Sequence, residues 1–79
     1  MKLTILTFAI AKEIIGKSNL NFESNAKNIA ELKNELFNLF PELTKLASLK
    51  FAVNSEYEND DFILNEGDEI AIIPPVAGG

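Results

Sequence analysis

Apolar and polar residues alternate along four stretches of the chain, which is typical of β-strands that bury one face. These stretches cover residues 2–8, 17–22, 49–53 and 69–73. In the first stretch, Leu3 and Ile5 share one face, whereas Leu6 and Phe8 share the opposite face. The alternation therefore predicts four strands, and it assigns the side chains of each strand to a core face or an outer face.

Between the second and third strands, apolar residues recur at the spacing of an α-helix that buries one side. The stripe consists of Ile29, Leu32, Leu36, Leu39 and Leu43. Asn28 stands three residues before Glu31, which is the arrangement of a capping box at a helix start. Pro41 predicts the end of this helix, or a kink before a last turn that runs through Leu46.

Shorter segments complete the predicted fold. Residues 9–15 are rich in Ala, Ile and Lys and are followed by Gly16, as expected of a short helical turn with a glycine cap. Residues 54–61 are polar and indicate a turn, and residues 62–64 predict a short extended or 3₁₀ piece. One main helix between two strand pairs can cover one face of a mixed sheet and leave the other face open. The sequence therefore predicts an α+β two-layer domain.

The composition excludes most self-sufficient enzyme chemistry. The 79 residues include 7 Lys and 12 Asp plus Glu, and there is no Cys, His or Arg. The chain therefore has no Cys thiolate or His imidazole to act as nucleophile, base or metal ligand. It also has no Arg guanidinium to bind phosphate. The net charge of −5 disfavours nucleic acid, which is bound by clustered cations. We expect neither a bound cofactor nor a metal.

The charge and hydropathy patterns also bear on the compartment and on the partners. No apolar stretch approaches the ~20 residues of a membrane span, and the start of the chain lacks the charged-then-apolar pattern of a signal peptide. We therefore expect a cytoplasmic protein with no membrane partner. Its acidic surface suits a protein partner with a basic face.

The end of the sequence predicts a stiff and narrow tail. Proline fixes φ and holds an extended path out of the last strand, and glycine has no Cβ to obstruct the approach of another backbone. The residues that we expect to thread into a partner's active site are Pro74, Pro75, Val76, Ala77 and Gly78. The prediction is a folded domain over residues 1–74 and an extended, flexible tail over residues 75–79.

Gly79 would present a carboxylate, a group that reacts only after activation. A carboxylate is ionised at neutral pH and is a poor electrophile. A partner that uses ATP could convert it to an acyl-adenylate, from which a nucleophile displaces the nucleotide. A sulfur nucleophile would give a thiocarboxylate, and a lysine amine would give an amide-linked tag. In either case we expect the ATP site and the catalytic residues in partner proteins.

Three apolar side chains predict a docking patch near the tail. Phe8 and Ile73 lie on the outer faces of their predicted strands, and Tyr57 has no obvious core role in its polar loop. Single exposed apolar residues are common, but three of them near a tail that threads into a partner favour docking. Lys12, beside Glu13, is either a solvated side chain or a contact at the rim of the interface.

Several short motifs match one family across essentially the whole chain. They are Phe8-Ala9, Lys12-Glu13, Gly16, Phe51-Ala52-Val53-Asn54, Gly67-Asp68-Glu69 and Pro74-Pro75-Val76-Ala77-Gly78-Gly79. With these motifs the sequence resembles the MoaD-type sulfur carriers, the small subunits of molybdopterin synthase, which have a ubiquitin-like β-grasp fold. The final hexapeptide is the strongest match, because family members usually carry Pro-Pro-Val, one variable residue and Gly-Gly. Lys12 stands where Arg is common and Ile73 where an aromatic is often found, so both could soften the interface.

The resemblance implies a reaction sequence for the tail. A MoeB-type, E1-like enzyme would use ATP to adenylate Gly79, and sulfur mobilised by a desulfurase would convert it to a thiocarboxylate. The loaded tail would enter the MoaE-type large subunit and donate sulfur to cyclic pyranopterin monophosphate, and two such transfers build the molybdopterin dithiolene. The resemblance also implies a heterotetramer with two large subunits at its centre, catalysis in the large subunit, and a hydrophobic patch formed by Phe8, Tyr57 and Ile73.

Other functions stay open at this point. A ThiS-type carrier of the thiamine pathway shares the fold and the Gly-Gly end, but it is usually shorter and lacks both the Phe-Ala stretch with its following Lys-Glu and the Pro-Pro-Val tail. A carrier for another sulfur product, or one that serves two pathways, is a further alternative. A ubiquitin-like modifier would be found amide-linked to other proteins, and a plain binding module would tolerate the loss of Gly79.

Overall fold

Five strands form one mixed sheet in the part of the chain that the computed structural model describes, residues 1–46 and 48–74. The strands are β1 (Lys2–Thr7), β2 (Asn19–Glu23), β3 (Lys50–Val53), β4 (Glu56–Glu58) and β5 (Glu69–Ile73). Their order across the sheet is β2-β1-β5-β3-β4. The β1–β5 pair is parallel, and the other neighbouring pairs are antiparallel. The parallel pairing brings the ends of β1 and β5 to the same edge of the sheet.

Two helices and a 3₁₀ turn connect the strands. They are α1 (Ala9–Ile15), α2 (Ile29–Leu39) and the 3₁₀ turn Pro41–Lys45. The N-terminus of α2 is capped as predicted, because Asn28 Oδ1 accepts a hydrogen bond from the Glu31 N–H at 2.9 Å. Gly16 ends α1 at a φ of 89° and donates its N–H to the Lys12 carbonyl at 2.8 Å. The predicted short helix with a glycine cap, and the turn after Pro41, are thus confirmed.

The apolar stripe of α2 packs on one face of the sheet and forms the core. Ile29, Leu32 and Leu36 are fully buried. The strands contribute Leu3, Ile5, Phe51, Val53, Ile70 and Ile72. The predicted place of Leu39 in this stripe is wrong, because α2 ends there and the side chain is 59% exposed. The 3₁₀ turn that follows brings Leu43 into the core instead.

Several bounds of the predicted elements differ from the structure. The first strand ends at Thr7 rather than at residue 8, and the third begins at Lys50 rather than at residue 49. The second strand begins at Asn19 rather than at residue 17, and the segment 54–61, expected as a turn, contains β4. Residues 62–64 hold an isolated antiparallel bridge between Ile63 and Asn28, as expected of a short extended piece. The α+β class and the β-grasp arrangement of a mixed sheet with a main helix on one face are confirmed.

Nothing in the described ranges tests the predicted boundary between a domain and a tail, since residues 75–79 lie outside them. Within 1–46 and 48–74, each helix is too short or too polar to cross a membrane.

Candidate functional site

The sheet face opposite α2 carries a row of apolar and aromatic residues. The register of the strands places Leu6 of β1 beside Ala71 of β5. Ala52 of β3 lies beside Ala71 on the other side and beside Tyr57 of β4. Because these residues alternate with the core residues of β1, β3 and β5, the row lies on the outer face of the sheet.

Phe8 and Ile73 lie next to this row, at the edge where β1 and β5 end. Thr7 and Ile72 form the last pair of the β1–β5 ladder, so Phe8, one residue further, lies at the level of Ile73. Phe8 keeps an extended backbone, with φ −137° and ψ 151°, and its side chain therefore continues the outer face. Phe8 is 49% exposed and Tyr57 is 66% exposed, whereas Ile73 is half-buried.

The structure thus brings the three residues of the predicted docking patch onto one face of the sheet. We call this surface the apolar face. It consists of Leu6, Phe8, Ala52, Tyr57, Ala71 and Ile73. Phe8 and Tyr57 are its exposed members, Leu6, Ala71 and Ile73 are half-buried, and Ala52 is buried. Exposed aromatic residues beside half-buried apolar ones are typical of protein–protein contact surfaces.

The turn between β1 and α1 fixes the position of Phe8. The Phe8 carbonyl accepts hydrogen bonds from the N–H groups of Ala11 at 3.1 Å and Lys12 at 3.3 Å. Ala9 has a φ of 51°, a left-handed value that costs a non-glycine residue about 1–2 kcal/mol. Phe8 is therefore the single residue between the end of β1 and the start of α1. Lys12 is exposed on α1 close to Phe8, and its role at an interface rim stays a prediction.

A tight hairpin presents Tyr57 at the other side of the apolar face. Asn54 and Ser55 connect β3 to β4 with φ values of 50° and 77°, as in a type I′ turn. Asn54 Oδ1 accepts a hydrogen bond from the Glu69 N–H at 3.0 Å, and Asn54 Nδ2 donates to Asp68 Oδ1 at 3.0 Å. These bonds join the turn to the start of β5 and hold the hairpin against the sheet.

Sequence reasoning missed the structural role of the pair formed by Asn54 and Asp68. Asp68 is buried, and its Oδ2 accepts a further hydrogen bond from the Asn65 N–H at 2.8 Å. Both residues occur in the motifs that carry the family resemblance. A polar residue at each of two turns is the sequence signal for side-chain hydrogen bonds between them. Only the pairing of the strands in the sheet shows that the two turns lie next to each other.

The last strand ends at Ile73 and is followed by Pro74, which is buried and has no N–H to donate to a neighbouring strand. The Phe8 and Ile73 end of the apolar face therefore lies beside Pro74, at the edge of the sheet where β5 ends. The other predicted tail residues lie outside the described residues. They are Pro75, Val76, Ala77, Gly78 and Gly79.

The described part of the chain offers a contact surface and little acid–base or metal chemistry. Among residues 1–46 and 48–74, no group of three or more acidic side chains is placed to hold a metal ion. The one buried carboxylate described above, that of Asp68, is satisfied by Asn54 and Asn65. The feature of the described residues that stands out is therefore the apolar face.

Comparisons with known proteins identify similar sequences and folds. A family model described as the ThiS family matches residues 5–79. The chain is 39% identical to the molybdopterin synthase sulfur carrier subunit of Dictyostelium discoideum, over 95% of this chain and 93% of that protein.

Two solved structures extend the comparison. The small archaeal modifier protein 1 of Methanosarcina acetivorans has a TM-score of 0.82 at 22% identity, over 99% of this chain and 96% of that chain, which shows a shared fold. A chain in the complex of subunits 1 and 2 of the molybdopterin-converting factor from Helicobacter pylori has a TM-score of 0.70 at 26% identity, over 100% of both chains. That neighbour was therefore solved together with a second subunit.

Proposed function

The chain belongs to the ThiS family, and we propose that it acts as the sulfur carrier subunit of a molybdopterin synthase. The family match alone does not choose between the thiamine and molybdopterin pathways. The similarity to the Dictyostelium carrier over nearly the whole chain favours molybdopterin synthesis. The observation that carries the proposal from the structure is the apolar face, which ends beside Pro74 at the point where β5 leads into the Gly-Gly sequence.

In the proposed reaction, Gly79 is the residue that changes chemically. A MoeB-type activating enzyme joins its carboxylate to the AMP part of ATP and releases pyrophosphate. Sulfur at the oxidation level of sulfide, mobilised by a desulfurase, then attacks the acyl carbon, displaces AMP and leaves a thiocarboxylate. In the large subunit the sulfur bonds to cyclic pyranopterin monophosphate, and water cleaves the acyl–sulfur bond and restores the Gly79 carboxylate. Two such transfers complete the dithiolene. These steps take place in the cytoplasm.

The apolar face supports this proposal because it supplies a platform for the large subunit. Phe8 and Tyr57 are exposed, and Ile73 lies one residue before Pro74. A partner that covers this face would lie next to the end of β5. Gly78 and Gly79 have no side chains to block entry into a narrow active site of that partner. The Helicobacter complex supports a second subunit as the partner. The ATP site and the catalytic residues lie in the partners, and this chain holds no cofactor.

The test is the intact mass of the chain after incubation with ATP, the activating enzyme and a sulfur source. The expected gain equals the replacement of one terminal oxygen by sulfur. Deletion of Gly79 should abolish this gain and sulfur transfer. Folding and binding to the large subunit should survive, because the buried core described by the structure lies within residues 3–72. A well-characterised sulfur carrier, run in parallel, shows that the activating enzyme is competent.

Two results would contradict the proposal. One is an unchanged mass when the activating enzyme is competent on the parallel carrier. The other is molybdopterin formation that continues after Gly79 is deleted. Recovery of the chain amide-linked to lysines of other proteins would favour a modifier instead.

A further inference from the structure

Lys50 lies at the border of the apolar face, between β5 and β4. It precedes Phe51 on β3 and is paired in register with Ile73 of β5. Its side chain is on the outer face, because Phe51 points into the core. Lys50 Nζ lies 5.7 Å from the centroid of the Tyr57 ring, within the range of a cation–π contact. Lys50 thus lies between two of the three residues predicted to dock.

The charge of Lys50 is not matched by a carboxylate in the described structure. Among residues 1–46 and 48–74, the ion pairs join Lys33 Nζ to Asp60 Oδ1 at 2.6 Å and the amino group of Met1 to Glu23 at 3.2 Å. Lys33 also lies over Phe51, 5.3 Å from its ring centroid. Of the two lysines with an aromatic contact, Lys33 is paired with an acidic side chain. Lys50 forms no ion pair among the described residues.

A cleft begins where the apolar face ends. Its volume is about 640 Å³, and Lys50 and Tyr57 line it together with Leu49, Phe51, Glu58 and Asn59. The Lys33–Asp60 pair lies at the same cleft. Because Glu58 and Asp60 would repel a further carboxylate inside the cleft, an acidic group of a partner would approach Lys50 from the side of the apolar face.

We propose that the large subunit docks on the apolar face and places an aspartate or glutamate side chain against Lys50. The inference rests on the proposed function, since it takes the large subunit as the partner. Docking on the neighbouring residues would remove water from the ammonium group, and a buried charge without a partner is costly. A carboxylate that pairs with Lys50 compensates for that loss. The pair also contributes to the orientation of the large subunit, because the six residues of the apolar face carry no charge of their own.

Charge reversal at Lys50 tests the pair. We expect Lys50→Glu to weaken binding of the purified large subunit by about tenfold or more, since it sets two carboxylates against each other. Lys50→Met keeps the length of the side chain and removes its charge, and it should make the affinity less dependent on salt.

Lys45→Glu is the matched control, because it changes the net charge by the same amount at a position on the exposed 3₁₀ turn. We expect it to alter the affinity by less than about twofold. Calorimetric titrations at low and moderate salt give the affinities, and the melting temperature shows that each variant is folded.

The outcomes separate this inference from the function on which it rests. Wild-type chain that fails to bind the large subunit would overturn the proposed function, and the inference with it. Wild-type binding that Lys50→Glu does not weaken would overturn the inference alone. Equal weakening by Lys50→Glu and Lys45→Glu would also overturn it, because the effect would then come from net charge rather than from a pair at Lys50.

Discussion

At the scale of single residues, Phe8 combines exposure with a fixed backbone. About half of its surface is in contact with solvent, although burial of a phenylalanine is ordinarily stabilising. Thr7 holds the chain in the β1–β5 ladder on one side, and the N–H groups of Ala11 and Lys12 hold the Phe8 carbonyl on the other. A fixed aromatic loses little conformational freedom when a partner covers it, which suits an anchor of an interface.

The role of Phe8 is tested by comparison with an equally apolar, exposed residue elsewhere. Ile63 is 63% exposed and is bridged to Asn28 at the start of α2, away from the apolar face. We expect Phe8→Asp to weaken binding of the large subunit by about tenfold or more, because it removes an aromatic anchor and would bury a charge in the contact. Ile63→Asp should change the affinity by less than about twofold. Titration calorimetry and thermal melts measure binding and stability separately.

Equal affinities for the two variants would argue against docking through the apolar face. A Phe8→Asp chain that no longer folds would show instead that Phe8 belongs to the core. Tyr57→Asp then tests the surface independently, because Tyr57 is the more exposed of the two aromatics.

The positions of Phe8 and Ile73 could be predicted from the sequence because strand side chains alternate with a period of two. Once Ile5 and Ile72 are assigned to the core, the backbone geometry leaves Phe8 and Ile73 on the opposite face. The position of Lys50 beside Ile73 could not be predicted in this way. It depends on the register between β3 and β5, which tertiary pairing fixes and local sequence does not encode.

At the scale of secondary structure, the β3–β4 hairpin is the element that local sequence described least well. Its second strand has three residues, Glu56–Glu58, too few for alternation to stand out from a polar loop. Its turn is Asn-Ser rather than the Asn-Gly that signals a type I′ turn. The assignment of Leu39 to the buried stripe was wrong for a related reason, because helical spacing continues through Leu39 although α2 ends there and the side chain is exposed.

The same turn gives a prediction about stability. Ser55 has a φ of 77°, which a side chain disfavours and glycine adopts freely. We expect Ser55→Gly to raise the free energy of unfolding by about 0.5–1 kcal/mol, because the relief of strain exceeds the extra freedom of glycine in the unfolded chain. Thermal melts should show an increase of a few degrees. Ser55→Ala is the control, since it retains the Cβ and should give no such increase.

A Ser55→Gly chain that is less stable than the wild type would contradict the assigned turn geometry. Binding of the large subunit should be unchanged in this variant, because the substitution stabilises the hairpin that presents Tyr57 without altering the apolar face.

At the scale of the whole molecule, the two faces of the sheet have different roles, since one stabilises the fold and the other is proposed to bind the partner. The face covered by α2 holds the core, and the opposite face holds the residues proposed for docking. A domain of this size has a thin core, so that substitutions on the α2 side should affect folding first. Substitutions on the apolar face should affect binding first. β5 contributes to both, since Ile72 is in the core and Ile73 is on the apolar face.

This division predicts how the chain responds to shortening. A chain that stops after Pro74 keeps all of the core residues of the described sheet and helices, the last of which is Ile72. We expect its free energy of unfolding to lie within about 0.5 kcal/mol of the full chain. A chain that stops after Ala71 loses Ile72, which is fully buried and pairs with both Thr7 and Phe51. Its loss should be at least about 3 kcal/mol, as for removal of a large core side chain.

Chemical denaturation of the two shortened chains measures these differences against the full-length protein. If the chain that ends at Pro74 unfolds as readily as the chain that ends at Ala71, residues 75–79 contribute to the folded domain and the predicted boundary is wrong. If it is as stable as the full chain but no longer accepts sulfur, those five residues serve the reaction and not the fold. The second result is expected, because the core residues of the described structure end at Ile72, whereas Gly79 is the residue proposed to carry the sulfur.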